Sequence, residues 1–400
     1  MTTFMHTGDE HIDSDAHGQI NPLTGLNTAW ESNYKVLRHL AETAVERKVD
    51  FFLSAGDNFK TGRPSQEALL LFVDALSPVA NAGIPIVLLD GNHHMTGVSS
   101  DHRTVIHVVA EMLRARGGVV SIASNPTLIR LPDGQQIAAL PWLSKNRVLN
   151  ELGAVDLTPA QGDQRVAQYG LDILSRFVDE ADSGSPLIMA SHVTVDDVRI
   201  DAVGKGFTRG SEMEIAHLFS EPVLPRKELE KLPFAYGALS HIHTPQKMGE
   251  RYYYAGSPNR LTFTDMPDIK GGNLVTINDD GTIDVEKIVT PARPMASVDL
   301  DAPGFDKALA ALEPGTLVQV WLETGNPEVP KEVRKTIADA GAILADTRPR
   351  PKPRAVSEHT VLPEKVDHVT ALRTWAEIHA ADTVDIDDLL AAADQLGASA

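Results

Sequence analysis

Cysteine is absent from the 400 residues. That excludes a disulfide scaffold, a thiol nucleophile, thiolate-held zinc and iron–sulfur clusters. Long apolar runs are absent too: no stretch reaches the roughly 18 residues that a membrane-spanning helix needs. The chain starts MTTFMHTGDEH, with no basic segment followed by an apolar one, so no secretory signal and a cytoplasmic location are expected. Positive charge is scarce, with 36 Lys+Arg against 55 Asp+Glu and a formal net charge of −19. That balance argues against nonspecific nucleic-acid binding through a basic surface. What remains is a globular chain of two or three units at roughly 150 residues each. It is long enough to bury a large core.

Short apolar runs alternate with helical patterns through the first two thirds. Residues 51–55, 85–89, 137–140, 186–190 and 234–239 read as buried strands. Residues 34–48 and 65–75 read as amphipathic helices; in the first, Val36, Leu37, Leu40, Ala44 and Val45 share a face. This alternation predicts an α/β layered domain, closing in late hairpin turns at Gly271-Gly272 and Asp280-Gly281. After TPARP at 290–294 the pattern is β-α-β-α-β, with strands at 296–300, 317–322 and 342–345 and helices at 305–312 and 331–340. Residues 347–356, TRPRPKPRAV, read as a Pro-rich basic linker with four positive residues and no negative one. The stretch 357–400 carries nine acidic and two basic residues and two amphipathic helices, near 366–380 and 386–396.

Four of these strands, all but 137–140, and a further one at 3–7 are each followed by polar groups of one chemical kind. These are Gly8-Asp9-Glu10-His11, Gly56-Asp57-Asn58, Asp90-Gly91-Asn92-His93-His94, Ser191-His192 and Ser240-His241-Ile242-His243. In open α/β sheets, sites form beyond the carboxyl ends of the strands, so all five converge on one edge. Asp9 and His11, at i and i+2, point to one side in extended chain, as do His241 and His243. The set Asp9, His11, Asp57, Asn92, His192, His241 and His243 offers only oxygen and nitrogen donors, which suits manganese, iron or zinc. Seven donors exceed what one ion needs. Two ions sharing a carboxylate, as in sites where they sit about 3.5–4 Å apart to clamp a phosphoryl group, would use them all. A single Ser-His or Asp-x-His is ordinarily a surface or core feature; the ordered set of five is the signal.

Taken together, Gly-Asp-x-His, Gly-Asp-Asn, Gly-Asn-His, Ser-His and x-His-x-His resemble the calcineurin-like metallophosphoesterase signature. Residues 25–58, and Tyr253-Tyr254-Ala255-Gly256-Ser257-Pro258-Asn259-Arg260-Leu261, resemble the SbcD nuclease family, bacterial relatives of the double-strand-break repair nuclease. The likeness covers about residues 1–289. It implies a layered α/β metallophosphoesterase sandwich over 1–290 and a small α/β capping domain over 291–346. The linker at 347–356 and a helical, partner-binding tail over 357–400 would follow. It implies two metal ions, with manganese expected. Asp9, His11, Asp57 and His243 would hold one, and Asp57, Asn92, His192 and His241 the other, with Asp57 bridging. His93 would be catalytic, protonating the leaving oxygen or orienting the phosphate. The implied reaction is hydrolysis of DNA phosphodiesters, by a homodimer formed through helices near 65–75 and 101–116. The tail helices would bind an SbcC-like coiled-coil ATPase, and no membrane is involved. Three positions depart from the family pattern: His94 where Asp is usual, Ser240 where Gly is usual, and Lys60 where His or Asp is frequent. A metallophosphoesterase for nucleotides or other small phosphodiesters would keep every ligand but need neither capping unit nor tail. A noncatalytic scaffold is disfavoured, because no ligand is missing.

Overall fold

Five parallel strand ends and the loops beyond them define the architecture. The structure is a computed structural model and describes residues 1–94, 103–154, 156–198, 221–322 and 328–349. The linker beyond Pro349 and the helices expected at 366–380 and 386–396 lie outside the described residues.

The first sheet has six strands. β1 (Thr2–Thr7), β2 (Phe51–Ser54), β3 (Ile86–Leu89) and β4 (Val120–Ala123) run parallel, and β1 pairs antiparallel with β13 (Gly271–Ile277), which pairs with β14 (Ile283–Val289). The second sheet is ordered β11-β12-β10-β7-β6-β5, where β5 is Thr127–Arg130, β6 Gln136–Leu140 and β7 Leu187–His192. Its other members are β10 (Tyr236–Ser240), β11 (Gln246–Met248) and β12 (Tyr252–Tyr254). β6, β7, β10 and β12 run parallel. Neither sheet meets water on a broad face. α1 (Thr28–Glu46), α2 (Gln66–Asn81) and α3 (Val105–Arg114) cover the first through Leu40, Leu76, Val109 and their neighbours. The helices α4 (Lys145–Glu151) and α5 (Pro159–Glu180) follow β6, and α5 covers the second sheet through Ile173, Leu174 and Phe177. Between the sheets lies a third apolar layer that includes Phe4, Phe51, Val87, Ile188 and Tyr236. Burial on both faces explains why β2 and β3 read as continuous apolar runs rather than alternating ones.

The two helices predicted at 34–48 and 65–75 each extend beyond one expected bound for identifiable reasons. α1 begins at Thr28 because the Asn27 side chain caps it, accepting from Ala29 N at 2.8 Å. α2 continues past 75 to Asn81 through Pro78. Proline has no N–H for the carbonyl four residues back, and the Arg38 guanidinium supplies a donor to Asp74 O instead, at 3.1 Å.

A third sheet, all parallel, is formed by β15 (Met295–Asp299), β16 (Leu317–Leu322) and β17 (Ile343–Pro349). With α7 (Phe305–Ala310) and α8 (Lys331–Asp339) it has its own core of Val298, Leu309, Val320, Val333 and Ile337. β17 runs to Pro349, so Thr347, Arg348 and Pro349 are strand where the sequence predicts the start of a linker; Arg348 Nε is held by Asp346 at 2.7 Å. The remaining elements are a short parallel pair, β8 (Thr194–Val195) with β9 (Val223–Leu224), and α6 (Arg226–Lys231). Among the described residues no helix is long and apolar enough to cross a membrane.

One polar residue sits inside the inter-sheet layer. His6 is fully buried on β1, and its Nδ1 lies 3.0 Å from the Tyr236 hydroxyl. Burial, reinforced by the Lys287 charge, pushes its imidazole down to about 3. An unfolded chain binds a proton at this histidine below about 6.5, while the folded one stays neutral. The contribution is therefore complete above 6.5 and is lost as pH falls toward 3. In urea unfolding between pH 4 and 6, stability should fall by about 1.4 kcal/mol per pH unit less steeply in His6→Leu than in the wild type.

Candidate metal centre

The loops that follow β1 and β2 remain knitted beyond the strands. Asp9 N donates to Gly56 O at 2.9 Å, His11 N to Asp57 O at 3.0 Å, and Ile12 N to Asn58 O at 3.0 Å. To turn side chains inward while keeping these bonds, the backbone enters the left-handed region at Asp9 (φ 53°), His11 (φ 40°) and Asp57 (φ 52°), and again at His241 (φ 98°). Asp and His accept this region better than most residues, but non-glycine residues held there cost of order 1–3 kcal/mol each. Four such positions among eight candidate site residues mark a place where geometry is set at the expense of local comfort.

The structure brings all eight sequence-predicted residues together. Asp9, His11 and His243 place donor atoms within 4.8 Å of one another, as do His11, Asp57 and His93, and Asp57, His192 and His241. Asn92 joins through its Oδ1, 3.0 Å from His192 Nε2. Asp57 is the hub: its Oδ2 lies 3.3 Å from His192 Nε2, 3.8 Å from His11 Nε2 and 3.9 Å from His93 Nε2. Burial alone would raise this carboxyl, but the surrounding His192, His11 and His93 hold it well below the usual carboxylate range. Burial likewise opposes a proton on His192, yet Asp57 outweighs it and pushes the imidazole up to about 9. On His11 burial wins, and the imidazole is held well below its ordinary value.

Main-chain and side-chain partners aim these donors. His192 Nδ1 is 3.1 Å from Ala55 O, which leaves Nε2 toward Asp57. His93 Nδ1 is 2.9 Å from Lys60 O, and its backbone N–H donates to Asp57 Oδ1 at 3.0 Å. Ser240 Oγ donates to Asp9 Oδ2 at 2.7 Å, and His241 N donates to both oxygens of Asp9. Lys60 thus serves His93 through its carbonyl. Ser240 has a defined task in fixing Asp9. His94 is buried, with Nδ1 2.9 Å from Asp90 Oδ1 and Nε2 accepting from Phe59 N at 3.3 Å, so it braces the loop.

Sequence reading missed three supporting groups. Glu10 is buried between Ser54 Oγ and Asn58 Nδ2, at 2.8 and 2.9 Å; burial pushes its carboxyl up to about 7. Lys270 is buried and donates to His243 O at 2.8 Å while paired with Asp265 and Asp268 at 2.7 and 3.0 Å. Glu221 lies 2.9 Å from His241 Nε2. Lys270 follows a polar stretch containing Asp265 and Asp268, and nothing there links it to His243; nothing in the spacing of Glu221 links it to His241.

The residues fit divalent cations. Both ring nitrogens of His11 are buried without a hydrogen-bond partner, a costly state for a polar group that has no cation to ligate. The donors are oxygen and nitrogen only, and Asp57 belongs to two of the three groups. The cradle is also tight: Gly56 has φ +117°, and a Cβ there would run into the His192 ring at Nδ1. Gly56→Ala should therefore weaken divalent-cation binding, measured by calorimetric titration, by at least about tenfold, the scale on which displaced ligand support acts; wild-type affinity would show that the approach of loop and ring is not needed.

Comparison with known proteins agrees with this geometry. The SbcD component of the nuclease SbcCD from Escherichia coli (strain K12) is 24% identical over 303 residues, covering 73% of this chain and 69% of its own. The corresponding SbcCD component from Rhodobacter capsulatus is 29% identical over 332 residues, covering 77% and 75%. The DNA double-strand break repair protein Mre11 of Methanopyrus kandleri is 25% identical over 370 residues, covering 88% and 71%. Residues 2–245, which contain β1 to β10 and every donor described above, match the calcineurin-like phosphoesterase family, and the chain belongs to that family.

Proposed function

We propose that the chain, a metal-dependent phosphoester hydrolase by its family, is a DNA nuclease that hydrolyses phosphodiester bonds in double-strand-break processing. The observation that carries the reading is the Asp57 carboxylate shared between donor groups, with His93 at the accessible side: the His93 side chain is 27% exposed, while those of His11, Asp57 and His192 are 3% exposed or less. The relatives named above, two of them nucleases and one a break-repair protein, support the choice of DNA.

In this reading Asp9, His11, Asp57 and His243 hold one ion, and Asp57, Asn92, His192 and His241 the other, manganese in both places. The ions supply Lewis acidity and positive charge to the phosphate oxygens. The protein's own part falls to His93. Burial lowers its imidazole below the ordinary value, and a phosphate anion facing Nε2 would raise it again, because opposite charge favours the imidazolium. With Nδ1 held by Lys60 O, Nε2 is the atom that delivers a proton to the leaving oxygen. The net charge of −19 does not oppose this. Two divalent cations bring four positive charges against the two of Asp9 and Asp57, so the field at the site is opposite in sign to the global sum.

The remaining parts follow the same reading. Residues 1–290 form the nuclease domain, and the third sheet, whose last strand runs past 346 to Pro349, is the capping unit. The rest of the basic stretch, to 356, links it to the tail 357–400, whose apolar stripe of Val366, Val369, Leu372 and Trp375 suits a helix-in-groove contact with an SbcC-like ATPase. α2 and α3, which expose Leu70 and Val108, are the homodimer face.

Manganese-dependent degradation of linear duplex DNA by the purified chain, alone and with an SbcC-like ATPase, tests the proposal. His93→Ala should lose about 10²–10⁴-fold in cleavage rate, the usual worth of a general acid, while keeping its bound manganese. Activity confined to nucleotides or small phosphodiesters would replace the nuclease reading with its rival.

A further inference from the structure

Glu221 sits two residues ahead of β9, and the pairing of Thr194 with Val223 sets that strand beside β8, directly after His192. Its side chain is 6% exposed, and Oε2 stands 2.9 Å from His241 Nε2. A carboxylate at that distance accepts a hydrogen bond from Nε2–H, so Nδ1 becomes the His241 nitrogen with a lone pair to offer. The ring is confined on other sides as well. The Trp142 ring is tilted against it with centroids 5.2 Å apart, and the His192 ring meets it edge-on at 5.1 Å. Glu221 belongs to none of the three donor groups that could hold an ion.

We propose that Glu221 is a positioning residue: held against His241 Nε2, it fixes the tautomer and rotation of that ring so that Nδ1 serves the ion shared with Asp57 and His192. This rests on the two-ion reading above. Carboxylates that orient a ligating imidazole in this way typically contribute 10- to 100-fold in metal affinity. An ion pair that merely stabilised the fold would lower stability without choosing between the two ions.

Calorimetric titration with manganese, on the full-length wild type, Glu221→Ala and Glu221→Gln, separates these cases, together with the melting temperature of each in EDTA. The wild type should bind two ions. Glu221→Ala should keep one at wild-type affinity and bind the other 10- to 100-fold more weakly, with its EDTA melting temperature near that of the wild type. Glu221→Gln, which retains an acceptor of the same shape, should fall between. Wild-type affinity for both ions in Glu221→Ala overturns the proposal, as does equal weakening of both ions with a lower melting temperature. Should Glu221→Ala fail to fold, Glu221→Gln decides: a weakened second ion supports the proposal, and two unaltered ions overturn it. A wild-type chain that binds fewer than two ions overturns the two-ion reading itself, and that is read from the wild-type isotherm alone.

Discussion

The Asp57 carboxylate is the constraint around which this fold is arranged. A buried carboxylate costs several kcal/mol unless it is paired and hydrogen-bonded. Here three imidazoles stand within 3.9 Å of one oxygen, and the other accepts the His93 backbone N–H. The imidazoles arrive from β1, β3 and β7, so the carboxylate is satisfied only when two sheets present their strand ends to one another. Removing it would leave the neighbouring donors without a centre, and a donor cluster without a centre binds nothing selectively.

Holding such a centre requires stiffness, and the sandwich supplies it. β1, β2 and β3 are buried on both faces, between the helices and the inter-sheet layer of Phe4, Phe51 and Tyr236. Phe4 stacks on Phe51 with centroids 4.5 Å apart and meets Tyr236 edge-on at 5.5 Å. Strand ends so anchored can hold four non-glycine residues at positive φ, because the strain is concentrated in loops that the sheets do not let relax. The divalent-metal chemistry of a phosphoesterase benefits directly, since donors fixed in advance lose little freedom when an ion arrives.

Much of this was legible in the sequence, for a physical reason. Parallel strands buried on both faces must read as short apolar runs, and a site at their carboxyl ends must follow each run immediately. Gly56-Asp57 after 51–55 and Asn92-His93 after 85–89 are therefore local signals of a nonlocal assembly. The less legible parts depend on partners far apart in the chain. The helix at 65–75 reads shorter than α2, because its continuation through Pro78 leans on Arg38 of another helix, which supplies a donor to Asp74 O. β17 reads as ending at 345, because its last residues are a Pro-containing basic run that only the pairing with β16 holds extended. Lys270 and Glu221 carry no motif, since one acts on a main-chain carbonyl 27 residues away and the other on an imidazole 20 residues away.

The support behind the imidazoles divides into two kinds. His192 leans on the Ala55 carbonyl and His93 on the Lys60 carbonyl, and the carbonyl of His243 is itself gripped by Lys270. Main-chain carbonyls survive any substitution at their own position, so the aim of His192 and His93 is written into the course of the backbone. His241 has a side-chain carboxylate behind it instead. A carboxylate is a stronger acceptor than a carbonyl and makes the imidazole it binds a better donor to a cation. It is also erased by a single codon change. The two ions of the proposed pair would therefore be held on unequal terms: the Asp9–His11–His243 side by backbone geometry, strain and the Ser240 hydroxyl on Asp9, and the Asp57–His192–His241 side partly by a tunable charge on the ligand ring itself. In such a site the second ion is the one whose affinity can drift or be adjusted without disturbing the fold, and a reaction that used both ions would inherit its sensitivity from that side.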